Sequence, residues 1–374
     1  MYSQQELDDA IAAGVISAQA ADALRAHVES QRSTAIPDEE QFRLLTGFND
    51  IFVSIAAAIL LFAVGWIGQS FGQATGLFIT EDGTTGPSFL APLAVAATSW
   101  ALALYFTARR RMALPSILLL LSFVGGVLVT TGFLLAQVIG PDRFNDQNQL
   151  LGAMVGAVSA AVAAGAAWLH WRRFRVPITV AAGAAAVAGL FIAVVLGIVQ
   201  PVTGPATERL ILSLLLVLGI GVFLFAMRWD GSDRARLTRR SDVAFWLHLL
   251  AAPMIVHPVF TLLGLNDGTA NLGEGLIVIL LYVAIGITAL AIDRRALLVS
   301  ALAYVLWALA ELFKQFGAVE LNIALTALVI GSALLLLSAF WHQARSAIVR
   351  PLPENVRNRL PILDRTAIAT QPAA

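Results

Sequence analysis

Runs of about twenty apolar residues recur along this chain, and a run of that length is what a helix needs to cross the hydrocarbon core of a bilayer. They fall at 51–71, 89–108, 113–138, 150–171, 176–199, 210–227, 243–264, 276–292, 296–317 and 321–342. Most are apolar all round, where a soluble helix would keep a polar face, so they call for a lipid surround. Composition agrees: 58% of residues are hydrophobic and 13% charged, against roughly 45–50% and about 25% in soluble domains. The expected fold is therefore all-α, a polytopic integral membrane helix bundle of about ten transmembrane helices. The third run is long and carries Gly125-Gly126, so it is expected to tilt or to break there. The eighth is short unless it extends back to Gly273.

Arginines set the direction of the spans, because basic loops stay on the cytoplasmic side. Clusters fall before the first run (Arg25, Arg32, Arg43) and after the second (Arg109, Arg110, Arg111), fourth (Arg172, Arg173, Arg175) and sixth (Arg228, Arg234, Arg236, Arg239, Arg240). Arg294 and Arg295 follow the eighth, and Arg345, Arg350, Arg357, Arg359 and Arg365 the tenth. Of the 24 basic residues, Arg143, Arg209 and Lys314 alone fall on the other side. Alternation of this kind predicts an even number of spans, five outward-and-back hairpins, and both termini in the cytoplasm. The period is that of an internal duplication, and equally that of any short-looped bundle obeying the same charge rule.

Four regions are expected: a cytosolic helical hairpin and linker at 1–36, an amphipathic juxtamembrane segment at 37–50, the ten-span domain at 51–345, and a basic, mostly disordered cytosolic tail at 346–374, part of which could lie on the membrane. No signal peptide is expected, since no basic start leads into an apolar core and a cleavage site. Ser3-Gln4-Gln5-Glu6 has capping-box spacing, Gly14 suits a helix C-terminus, and Ser17 suits the N-cap of a second helix. Thirty residues bury too little surface to fold robustly alone. The hairpin is therefore expected to dock on the bundle, on a second copy or on a cytosolic partner. Leu7, Ala13-Gly14-Val15-Ile16-Ser17 and Leu24, followed at once by many spans, resemble a family of uncharacterised bacterial multi-pass membrane proteins with a short N-terminal cytosolic hairpin. The resemblance implies an integral membrane protein of unassigned function; the expected location is a bacterial inner membrane.

Charges and histidines inside apolar runs are costly and often functional. Glu311 and Lys314 sit in the ninth run, about 60° apart on one helix face and able to pair. At 1.5 Å per residue Glu311 lies about 22 Å across a core of about 30 Å, and His257 in the seventh run about 21 Å across. Gln69, Ser70, Gln137 and Gln200 also fall at outer ends. Convergence of these groups would make a polar pocket open to the outside; the alternative is an interfacial ion pair with snorkelling ends. The seventh run also holds His248, and Pro253 and Pro258, expected to kink or unwind it. His248 and His257 face opposite ways on a regular helix, so they are not expected to share a metal. Each is expected either to hydrogen-bond a neighbouring helix or to titrate or bind a ligand. Gly152 and Gly156 have GxxxG spacing, and the glycine- and alanine-rich fourth and fifth runs are expected to pack tightly on each other.

There are no cysteines. No phosphate loop, HExxH or GxSxG occurs, the loop acids, Asp230 and Asp233 among them, are assigned to solvation, and no nucleic-acid platform is present. No metal, no cofactor and no enzyme activity is expected, and the lipid bilayer is the expected partner. Two functions fit: a transporter or channel-like protein for a small solute or ion, with Glu311 and His257 handling protons or cations and Lys314 supporting them, or a scaffold or sensor whose hairpin docks a partner. An intramembrane enzyme is a distant third.

Overall fold

The computed structural model describes residues 11–24, 48–81, 84–144, 148–199, 205–234, 236, 238–264, 272–295, 297–298, 302, 305–306 and 322–363. The chain divides into two units, Met1–Phe42 with Ile362–Ala374, and Arg43–Pro361. In the first unit Gly14 ends a helical turn at φ 69° with its N–H on the Ile11 carbonyl, and the Ser17 hydroxyl caps the next helix through the Ala20 N–H at 3.1 Å. The turn expected around Gly14 and Ser17 is thus in place; the residues before Ile11 lie outside the described set.

The second unit is helical apart from a two-residue β-hairpin. Its elements are α1 (Phe48–Ala74), β1 (Thr80–Glu81), β2 (Thr84–Thr85), α2 (Leu90–Phe106), α3 (Ala113–Ile139), a single 3-10 turn at Pro141–Arg143, α4 (Gln149–Phe174), α5 (Ile178–Ile198), α6 (Pro205–Ser232), α7 (Arg239–Leu262), α8 (Leu272–Ile292), α9 (Asn322–Ala339), α10 (Trp341–Val349) and α11 (Glu354–Arg357). Among the described residues six helices, α1 and α3 to α7, are long and apolar enough to cross a membrane. A seventh is present if α9 and α10, which meet at 74°, count as one span; α2 and 276–292 are shorter apolar helices. The chain therefore has the helices of a membrane protein. Exposed apolar residues such as Phe62, Trp66, Val217 and Leu335 cover their outer faces, a surface compatible with bilayer contact. α3 runs unbroken through Gly125-Gly126, where Gly126 lets the Pro92 carbonyl and Ala96 of α2 come within 3.0 Å of where a Cβ would stand.

Neighbours in sequence pack on each other, α4 with α5 and α6 with α7 most extensively. Small residues set the first of these contacts: a Cβ on Gly156 would meet Ala193 at 3.7 Å, and one on Gly183 would meet Ala167 at 3.6 Å. α7 is the most enclosed span, buried over 56% of its apolar window where the other five reach 22% at most.

Two expectations need correction. Pro253 and Pro258 do not break α7, which is one continuous helix from Arg239 to Leu262. A proline removes its own N–H and so deprives one carbonyl four residues earlier. For Pro258 that carbonyl belongs to Met254, and Gly219 of α6 packs against it so closely that a Cβ there would stand 2.9 Å from the Met254 carbonyl atoms. The neighbouring helix supports the weakened turn, and the helix continues. The second correction concerns the tail: residues 346–361 are ordered within the second unit. Arg345 donates to the Pro361 carbonyl at 2.8 Å, and Arg234 to the carbonyls of Leu360 and Arg357 at 2.9 and 3.2 Å. Val349 and Leu360 are buried with them.

Candidate functional site

The expected site residues divide sharply. His248 is fully buried on α7 and His257 is exposed, as their spacing requires. Pro253 is exposed and Pro258 buried on the same helix. Glu311 and Lys314 lie outside the described residues, as does Gln200. Gln69 is bound in a loop: its side chain donates to the Gly86 carbonyl at 3.0 Å and accepts from the Ser88 N–H at 2.8 Å, pinning the segment after β2.

What the fold assembles instead is a buried charged cluster where α6, α7, α8 and α10 end or begin. His248 Nε2 lies 3.0 Å from Asp230 Oδ2, and Arg294 Nε 3.3 Å from the same oxygen. Arg294 Nη2 donates both to Asp230 Oδ1 and, at 3.0 Å, to the Ser241 carbonyl. Asp230, His248 and Arg294 are 1%, 0% and 3% exposed, so water does not share in their solvation. A charge moved out of water this completely is tolerated when paired and hydrogen-bonded, and here each formal charge meets its opposite. His248 Nδ1 is buried without a partner, and the imidazole and Phe223 rings lie edge to face with centroids 5.2 Å apart. A neutral imidazole with its one proton on Nε2 satisfies this arrangement.

A second layer surrounds the first. Asp293 sits in the left-handed region at φ 57°, just past the end of α8, and this turn aims Arg294 back into the bundle. The Asp293 carboxylate accepts from Arg236 at 3.0 Å and from the Trp341 indole at 2.8 Å, with Arg345 3.7 Å away. Arg236 also donates to the carbonyls of Ile292 and Asp293, where a cation complements the exposed end of the helix dipole. Asp233 accepts from both the N–H and the hydroxyl of Thr238, closing the turn between α6 and α7. Asp230 and Asp233 therefore do not serve solvation; that assignment fails because α6 continues five residues past the apolar run. Among the described residues no group of three His, Cys, Asp or Glu side chains could hold a metal ion.

Another buried histidine, His170 of α4, also went unmarked in the sequence. Its ring is enclosed by Trp100, Phe123 and Phe174, with Nδ1 3.3 Å from the Thr179 hydroxyl and Nε2 without a partner. It is two residues before the arginines that close the fourth run, so it reads in sequence as an end residue.

The helical spacing of residues 219, 222, 223, 226 and 230 was the legible signal for Asp230, since a carboxylate on that stripe must follow Gly219 and Ala226 into the α7 interface. No comparable signal separates Arg294 from the exposed arginines that mark the other loops. Comparison with known protein families, with curated proteins and with solved structures finds no match to this chain.

Proposed function

We propose that this chain is a membrane transporter or channel-like protein for a small solute or ion, with His248 and Asp230 as a proton- or cation-handling pair on its path. The observation that carries this reading is the buried pair itself: ionisable groups from α6, α7 and the end of α8, sealed from water inside a bundle of apolar helices. Ionisable groups so placed mark ion and proton pathways in membrane proteins. A second proton on His248 would put an N–H at Nδ1, which is buried with no acceptor, so protonation there carries a desolvation cost. Glu311, Lys314 and His257 are assigned to the outer end of that path, His257 being about 14 Å along α7 from His248.

The membrane frame of this proposal is ten spans in five hairpins, both termini cytoplasmic, in a bacterial inner membrane. It is supported by the helix ends. Arg111, Arg175, Arg236 and Asp293, which follow α2, α4, α6 and α8, all take the left-handed conformation with φ between 52° and 57°. Four turns of the same kind, each at an arginine cluster, fit one repeated hairpin unit. Membership of the bacterial family that residues 7–24 resemble belongs to the same proposal.

Proteoliposomes carrying a trapped pH dye test the function. Wild type is expected to pass protons down an imposed gradient, and His248→Gln and Glu311→Gln to abolish the flux while remaining monodisperse. Absence of flux under proton, sodium and potassium gradients sinks the transport reading and leaves a scaffold or sensor. The latter has one observation of its own: Val15 is 75% exposed in the amino-terminal unit, an apolar side chain suited to docking a cytosolic partner through residues 1–36.

A further inference from the structure

A narrow, half-open slot of about 130 Å³ runs between α8, α9, α10 and the helical residues 298 and 302. Leu298, Leu302, Leu334 and Leu337 form its walls. A hydrophilic solute enclosed by such walls would lose its hydrogen bonds to water without replacement, so hydrocarbon is the chemistry they admit. One end differs. Arg295, just beyond α8, lines the slot with its guanidinium 4.8 Å from the centre of the Trp341 ring, which also lines it. Arginine and tryptophan together at the end of apolar helices mark the level of lipid headgroups. Tyr282 borders the slot too, about 15 Å back along α8 from its end, with a buried hydroxyl that meets no hydrogen-bond partner.

Cation and indole at the interface, leucines leading inward: this is the polarity of an anionic phospholipid. We propose that the slot binds one such lipid from the surrounding bilayer, its phosphate on Arg295 and one acyl chain along the four leucines. A planar guanidinium takes a phosphate through two parallel hydrogen bonds, which a zwitterionic headgroup offsets with its own cation. The site is joined to the charged cluster through one residue. Trp341 forms its wall and donates to Asp293 at 2.8 Å, and Asp293 is held in turn by Arg236 from the α6–α7 turn. Lipid in the slot therefore braces α10 against α8 and, through Asp293, the inner end of α6. This inference is independent of the transport proposal.

The test uses the full chain purified in neutral detergent. Native mass spectrometry after titration with phosphatidylglycerol or phosphatidylcholine reads occupancy, and thermal unfolding reads stabilisation. Phosphatidylglycerol is expected to bind at least tenfold more tightly than phosphatidylcholine and to raise the midpoint by several degrees. Arg295→Gln is expected to erase that preference, Arg295→Lys to keep part of it, and Leu334→Trp to close the slot and lower occupancy by either lipid. Arg172→Gln is the control, since Arg172 also stacks on a tryptophan, Trp168 at 4.9 Å, but does not line this slot. Equal occupancy by the two lipids in the wild type overturns the proposal without recourse to any variant. So does a preference that survives Arg295→Gln, or an equal stabilisation by inorganic phosphate alone.

Discussion

A carboxylate with no access to water must be fully paired, and Asp230 accepts three hydrogen bonds, one from His248 and two from Arg294. Removing its charge strands Arg294 among buried groups with the Ser241 carbonyl as its other partner. Breaking a buried ion pair from one side costs about 3–5 kcal/mol, whereas replacing both partners by apolar groups is often close to neutral. Asp230→Asn should therefore lower the unfolding midpoint sharply. Asp230→Leu with Arg294→Met should recover most of the loss, a coupling that thermal melts of the two singles and the double would expose. Equal costs that simply add would mean the two charges act independently. The sequence hid this pair for a physical reason. Asp230 follows Arg228 and Trp229 at the edge of an apolar run, where a charge is cheap in water, and only the small-residue stripe through Gly219 and Ala226 points to its burial. Arg294 is hidden better still, because it turns inward from a loop cluster that reads in sequence like the clusters closing the other helices. His248 was expected either to bond a neighbouring helix or to titrate or bind a ligand; its contact with Asp230 is one that only tertiary packing identifies.

At the level of elements, backbone proximity decides which residues α6 can carry. Gly219 and Gly221 are two positions apart and face different surroundings. A Cβ at 219 would stand 2.9 Å from backbone atoms of Met254, while one at 221 would meet nothing within 4 Å. Gly219→Ala must push α6 away from α7, an overpacking that costs about 1–3 kcal/mol. Gly221→Ala relieves the helix of a glycine and should stabilise by up to about 1 kcal/mol. Opposite signs in guanidinium-free thermal melts of the two variants are the expected outcome; matching signs would contradict the close contact. The same contact explains why prolines misled the sequence reading of α7. A proline marks where a helix loses a hydrogen bond, not whether a neighbour supplies packing that keeps the helix going. Apolar length, by contrast, was legible: the run at 113–138 is α3 almost residue for residue, and 150–171 and 176–199 lie within a few residues of α4 and α5. Apolar length depends on the bilayer alone, so it can be read one segment at a time. Where side chains reach across to another element, as Arg345 and Arg234 do to 357–361, composition pointed to disorder and packing overruled it.

Across the whole molecule, the transfer cost of an arginine forbids most arrangements of these helices. Moving one to the bilayer centre costs about 2.5–3.5 kcal/mol on insertion scales, so a topology that traps a cluster such as Arg109, Arg110 and Arg111 on the wrong side is heavily disfavoured. The clusters follow α2, α4, α6 and α8, and in the proposed topology the β-hairpin after α1 lies on the opposite side from all of them. Because the chain has no cysteines, single ones report cleanly on side. Thr85 in β2 and Gln343 in α10 are both exposed. In intact cells a membrane-impermeant maleimide should label Thr85→Cys, and should reach Gln343→Cys only after lysis. Labelling of both in intact cells would require an even number of crossings between them and one arginine cluster outside. The reverse pattern would invert the bundle and put the Asp230 cluster at its outer end. Either result would also move the proposed lipid slot to the other leaflet, since Trp341 lies within two residues of Gln343. The side of the membrane on which Gln343 reacts therefore fixes which face of the bilayer both buried features serve.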